Sequence, residues 1–103
     1  MEEILKQQIE DLIKSKKVFL FMKGTPEMPA CGFSQRVAHI LQSIDADFGS
    51  FDILTSEEVR QGIKEYANWP TIPQLYVDGK FIGGCDIVEQ LFHSEELKRI
   101  LTS

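Results

Sequence analysis

The residues with the clearest chemical promise lie in Pro29-Ala30-Cys31-Gly32-Phe33-Ser34. A cysteine stands there just ahead of a helical pattern, where the free N–H groups of a helix N-terminus favour a thiolate over a thiol. Three positions on, where a two-cysteine redox motif carries its second sulfur, the residue is Ser34. No local disulfide can close at this point, so whatever Cys31 does requires a partner from outside. The other cysteine, Cys85, lies far along the chain behind Gly83-Gly84, and two widely separated cysteines do not make a disulfide scaffold.

The setting for this thiol is one compact unit. A chain of 103 residues, 43% hydrophobic and 26% charged, suits a single domain over residues 1–103 with a core that needs no metal or disulfide staple. The net charge of −5 argues against general binding to nucleic acid or to an anionic membrane. The longest apolar run, Val18 to Met22, is too short to span a bilayer, and Met1-Glu2-Glu3 lacks the basic-then-apolar order of a secretion signal. These features predict a cytoplasmic or similarly reducing location.

The elements that must position Cys31 follow from periodicity. Ile4, Leu5, Ile9, Leu12 and Ile13 recur at helical spacing and predict an amphipathic first helix ending near Ser15-Lys16-Lys17. Lys17 to Met22 reads as a strand buried on both faces, broken by Gly24-Thr25-Pro26. Phe33, Val37, Ile40, Leu41 and Ile44 predict a helix from just after Cys31 to about Ser43, with its apolar stripe on the sheet. Phe48 to Leu54 reads as a second strand, and Thr55-Ser56-Glu57-Glu58 has capping-box spacing ahead of a third helix through Val59, Ile63 and Tyr66. Asp78-Gly79 between Leu75-Tyr76-Val77 and Lys80-Phe81-Ile82 is a two-residue hairpin signal. Helices follow through Ile87–Phe92 and, opened by Ser94, through Leu97–Leu101. A right-handed crossover makes the first two strands parallel. The order therefore predicts an α/β, thioredoxin-like layout: a four-stranded mixed sheet flanked by helices.

Four separated pieces match one family: Lys23, the Cys31-Gly32-Phe33-Ser34 motif, Trp69-Pro70-Thr71-Ile72-Pro73-Gln74, and Gly83-Gly84-Cys85-Asp86. Through them the chain resembles a single-domain monothiol glutaredoxin of the Cys-Gly-Phe-Ser type, over nearly its full length. The resemblance implies glutathione binding and a [2Fe-2S] cluster held between two protomers. It implies roles as well: Lys23 beside the thiolate and the glycine-end carboxylate of glutathione, Arg60 at the same carboxylate with Lys64 one turn later, and Thr71-Ile72 pairing by backbone with the cysteinyl part. A cis peptide before Pro73 belongs to that pattern. Gly83-Gly84 lets the backbone approach a ligand, the N–H groups of Cys85 and Asp86 suit the γ-glutamyl carboxylate, and Asp86 pairs with the amine.

A [2Fe-2S] cluster usually takes four thiolates. Two chains giving one Cys31 each, with two glutathione thiols, supply them, so the resemblance implies an apo monomer that becomes a cluster-bridged homodimer. The expected function is iron–sulfur cluster carriage to acceptor apoproteins and iron homeostasis, with pairing to BolA-type proteins as a further family trait. The alternative is a glutathione-dependent thiol-disulfide oxidoreductase working by a monothiol route. The loop from Lys23 to Cys31 is longer than in dithiol glutaredoxins, which favours carriage over reduction. Several residues also have plainer readings. Cys85 reads equally as a gap-filler at a helix start and as a regulatory disulfide or mixed-disulfide partner of Cys31; His39 and His93 read as solvated; Trp69 reads as core; Arg60 and Lys64 also fit a solvated helix face, the usual meaning of such charges.

Overall fold

The run Val18–Met22 forms a strand, β1, buried along its whole length, in a computed structural model that describes residues 1–103. It carries no polar residue because helices cover both faces of the sheet it centres. Helix α1 (Glu3–Lys14) precedes β1, and helix α2 (Gly32–Ser43) carries the chain over to β2 (Gly49–Asp52). β2 pairs with β1 in parallel, Phe19 opposite Gly49 and Met22 opposite Asp52. After helix α3 (Glu57–Ala67), β3 (Gln74–Val77) lies antiparallel along the other edge of β1, and β4 (Lys80–Gly83) antiparallel to β3. The sheet order is β2-β1-β3-β4. The hairpin turn sits at Asp78-Gly79, both at positive φ (52° and 78°), the hand a two-residue hairpin needs. Helices α4 (Cys85–His93) and α5 (Leu97–Thr102) close the chain. This is the thioredoxin-like α/β layout the periodicity predicts, and no helix is long and apolar enough to cross a membrane.

Strand alternation builds two cores. Phe19 and Phe21 face one way and pack with Ile9, Ile13, Ile63 and Tyr76 under α1 and α3, whereas Leu20 and Met22 face the other and pack with Val37, Leu41, Val88 and Leu101 under α2, α4 and α5. Each fully buried Leu, Ile or Phe stabilises the fold by about 1.5–3 kcal/mol.

Three local expectations give way to the structure. The strand expected over Phe48–Leu54 stops at Asp52, whose carboxylate accepts the Leu54 N–H at 2.9 Å and turns the chain into a single 3₁₀ turn, Ile53–Thr55. The cap of α3 is Ser56, which accepts the Val59 N–H at 3.2 Å; the third helical position is therefore apolar Val59, and the reciprocal carboxylate contact of a capping box does not form. The last helix begins at Leu97 instead of at Ser94, because Ser94 caps the end of α4 and Glu95 takes a left-handed φ of 65° that interrupts the helical path.

Candidate functional site

Cys31 is the N-cap residue of α2, in extended backbone, and its Sγ accepts the Ser34 N–H at 3.4 Å. The loop that delivers it is a closed hairpin. Thr25 and Met28 exchange two backbone hydrogen bonds of 3.1 Å, the Ala30 N–H donates to the Lys23 carbonyl at 2.9 Å, and Asp52 accepts the Gly24 N–H at 2.9 Å. Gly24 has a φ of 85°, and a Cβ there would run into the Met28 carbonyl, so the turn requires glycine.

Ser34 is fully buried beneath the sulfur. Its Oγ accepts the Lys23 N–H at 3.0 Å and lies 3.4 Å from Cys31 Sγ. In the thiol form Sγ–H donates to that oxygen; once the sulfur ionises, the hydroxyl proton, not needed elsewhere, turns to donate to it. Partial burial pushes the Cys31 thiol up, yet the Ser34 hydroxyl, the N–H groups of Ser34 and Phe33, and the Lys23 ammonium together hold it below the ordinary thiol range. The residue that removes local disulfide chemistry thus feeds the thiolate a hydrogen bond.

Beside Cys31 runs a groove of about 570 Å³. The sequence-derived candidates Lys23, Lys64, Thr71, Ile72, Cys85 and Asp86 all line it. Cys31 itself lies outside the lining, between two residues that belong to it, Lys23 and Phe33. Arg60 also lies outside it: its guanidinium meets Glu57 at 3.6 Å, and its buried Nε has no protein partner.

Three sides of the groove have distinct chemistry. Lys23 and Lys64 supply cations. The Thr71–Pro73 wall supplies backbone groups: the Ile72–Pro73 peptide is cis, the Ile72 side chain is buried, and its N–H and C=O are taken up by no other backbone group. The third side is the start of α4, where the N-cap Gly84 offers no side-chain cap and the first N–H groups lack intrahelical partners. A Cβ on Gly84 would come within 3.2 Å of Trp69 Nε1 and 3.3 Å of the Pro73 carbonyl, so glycine keeps this corner narrow and open. Cations, a free backbone edge and a helix N-terminus with an acid, Asp86, beside it suit a zwitterionic ligand of peptide character with carboxylates at its ends.

Sequence reading misplaced two aromatic residues here. Phe33, expected against the sheet, is 60% exposed, and Trp69, expected in the core, is 37% exposed and packs on Phe81; both line the groove. It quoted Gln74 at the end of a motif but gave it no role. That buried amide donates to the carbonyls of Trp69 and Thr71, each at 3.2 Å, and accepts the Tyr76 hydroxyl at 3.1 Å. Gln74 therefore fixes the groove wall from beneath, and a lone amide inside an otherwise apolar strand was the available signal.

Cys85 is buried, and its thiol donates to Glu89 at 3.3 Å. Burial first, then the Glu89 contact, pushes it up to about 11. It fills space at the helix start as a protonated thiol.

With this geometry in hand, the glutaredoxin family model matches residues 18–82. Monothiol glutaredoxin-S11 of Oryza sativa is 54% identical over 96% of the chain, which spans only 20% of that relative's length. The solution structure of reduced apo GrxS14 from poplar is 50% identical, with a TM-score of 0.81 over 96% of this chain and 94% of that one. A buckwheat glutaredoxin, solved as its glutathione complex, is 25% identical and superposes with a TM-score of 0.85 over 99% of this chain and 94% of its own. Sequence motif, fold and relatives agree that the chain belongs to the glutaredoxin family, as a monothiol glutaredoxin.

Proposed function

We propose that this domain binds glutathione in the groove beside Cys31 and, as a dimer of two such complexes, carries a [2Fe-2S] cluster that it passes to acceptor apoproteins. The observation that carries the proposal is a single thiol whose ionisation Ser34 favours, beside a groove with two lysines, a free backbone edge and a helix N-terminus. The donor count fits. Cys85 is tied to Glu89 as a thiol, so each chain offers one sulfur and a four-thiolate cluster needs two chains and two glutathiones. Lys23 and Lys64 face the ligand carboxylates, the backbone of Thr71 and Ile72 its cysteinyl unit, and the N–H groups of Cys85 and Asp86 its γ-glutamyl end, with the Asp86 carboxylate at the amine. Arg60 joins them at the glycine end on swinging away from Glu57. The glutathione-bound state of the buckwheat glutaredoxin supports the ligand. A role in iron homeostasis, a cytoplasmic location and pairing with BolA-type proteins belong to the same proposal.

A second reading, glutathione-dependent reduction of mixed disulfides, draws on the same thiolate. Cys31 attacks the glutathione sulfur of a glutathionylated substrate and the substrate thiolate leaves; a second glutathione thiolate then attacks the glutathione sulfur of the Cys31 mixed disulfide, forming glutathione disulfide and releasing the Cys31 thiolate. Anaerobic reconstitution with iron, sulfide and glutathione separates the two. Carriage expects a brown dimer whose visible absorption and mass both collapse in Cys31→Ser or without glutathione. A colourless monomer that turns over glutathionylated substrate briskly would replace carriage with catalysis.

A further inference from the structure

One cysteine beside the groove and one in its lining each stand at the start of a helix, so a general preference of helix N-termini for thiolates predicts two reactive sulfurs. The partners around them differ: a reversible hydroxyl and a backbone N–H at Cys31, a carboxylate at Cys85. Cys31 Sγ accepts the Ser34 N–H, and its own proton goes to a neutral hydroxyl that can turn round to donate once the sulfur ionises. Cys85 has its proton committed to Glu89 at 3.3 Å, and the same Glu89 oxygen accepts from Arg36 of α2 at 2.7 Å. Arg36, Glu89 and Cys85 thus form a chain that ties the two helices together beside the site. We propose that Glu89, acting on a thiol already buried, is the residue that assigns thiol chemistry beside this groove to Cys31, by accepting the Cys85 proton.

The electrostatics are consistent with that assignment. Ionising the buried Cys85 would set a second anion 3.3 Å from the Glu89 carboxylate, and the two like charges repel. The charged groups acting on the thiol are Glu89 and Asp86 of its own helix, which disfavour the thiolate, and Arg36 of the facing helix, which favours it. His93, one turn beyond Glu89, acts on the Glu89 carboxylate. Arg36 keeps Glu89 ionised, and so keeps it an acceptor for the thiol proton. The inference does not depend on the identity of the groove's ligand.

Alkylation by iodoacetamide in a Cys31→Ser background tests it, since that reagent reacts with the thiolate and Cys85 is then the one sulfhydryl left. Glu89→Gln keeps the shape and removes the anion; the rate constant at pH 8 is expected to rise about tenfold, the effect of one unit in a thiol's pKa. Arg36→Gln removes the cation that favours the thiolate; the rate is expected to fall about twofold or more. Opposite signs are the signature, because a change that merely loosened the contact between α2 and α4 would expose Cys85 and raise both rates. Two rises, or no change in Glu89→Gln, would overturn the proposal. If either variant fails to fold, Glu89→Asp in the same background, followed by the Cys85 ¹³Cβ shift against pH, draws the carboxylate back from the thiol without removing the anion. A midpoint lower than in the Cys31→Ser protein is expected, and an unchanged one, which burial alone would give, would overturn the assignment.

Discussion

The beginning of α2 and the beginning of α4 are near twins by position, each holding a cysteine at the edge of one groove, yet they treat that cysteine in opposite ways. At α2 the sulfur is itself the cap, accepts the Ser34 N–H and faces a hydroxyl free to donate to the thiolate. At α4 the cap is Gly84, and the sulfur is buried and donates to a carboxylate. A helix N-terminus is therefore not enough to make a thiolate. What decides is whether the atoms within hydrogen-bond reach give protons or take them, because a shift of one pKa unit needs only about 1.4 kcal/mol.

The largest effect on this contrast is expected from Ser34→Ala, which deletes the hydroxyl while leaving the backbone N–H. The midpoint of Cys31 alkylation should move upward and its rate at pH 7 should fall roughly tenfold; an unchanged midpoint would reduce Ser34 to a packing residue.

Next comes stability against pH, where the two thiols act with opposite sign. Cys31, lowered on folding, contributes stability that is present above the pH range of an ordinary thiol and is lost as pH falls through its folded value. Cys85, raised to about 11, contributes stability that is complete below the ordinary range and drains away as pH climbs toward that value. Urea unfolding at pH 8 and pH 10.5 should show Cys31→Ser losing more stability than the wild type over this interval and Cys85→Ser losing less, the two variants differing by on the order of 1 kcal/mol. Parallel losses would mean that the two sites are not opposed.

The smallest effect belongs to Lys23→Gln. Its charge is the least of the influences lowering Cys31, so thiolate reactivity at pH 7 should drop about twofold at low ionic strength and hardly at all in molar salt. Glutathione affinity should weaken more, since the lysine lines the groove directly.

Much of this arrangement was legible before any coordinates. The period of apolar residues placed α1, β1, α2 and α3 within a residue or two, and Asp78-Gly79 placed the hairpin. Aromatic residues misled. Phe33 keeps the period of the α2 stripe, but it sits in the first turn of the helix and lines the groove; periodicity assigns a face and says nothing of where the opposing surface ends. Trp69 reads as core by size, yet it lines the groove, where Gln74 holds its carbonyl and that of Thr71. Arg60 and Lys64 share a helix face, but one guanidinium is drawn to Glu57 while the ammonium reaches the groove.

The linear chain determined the elements, their order, and the absence of a second sulfur next to Cys31, because these rest on local spacing and on residue identity. Folding decided which cysteine is available. That choice depends on Ser34 lying under Lys23 and on Arg36 reaching Glu89 across two helices. Hydrogen-bond direction and burial are properties of neighbours in space, and these neighbours meet only when the helices are laid against the sheet.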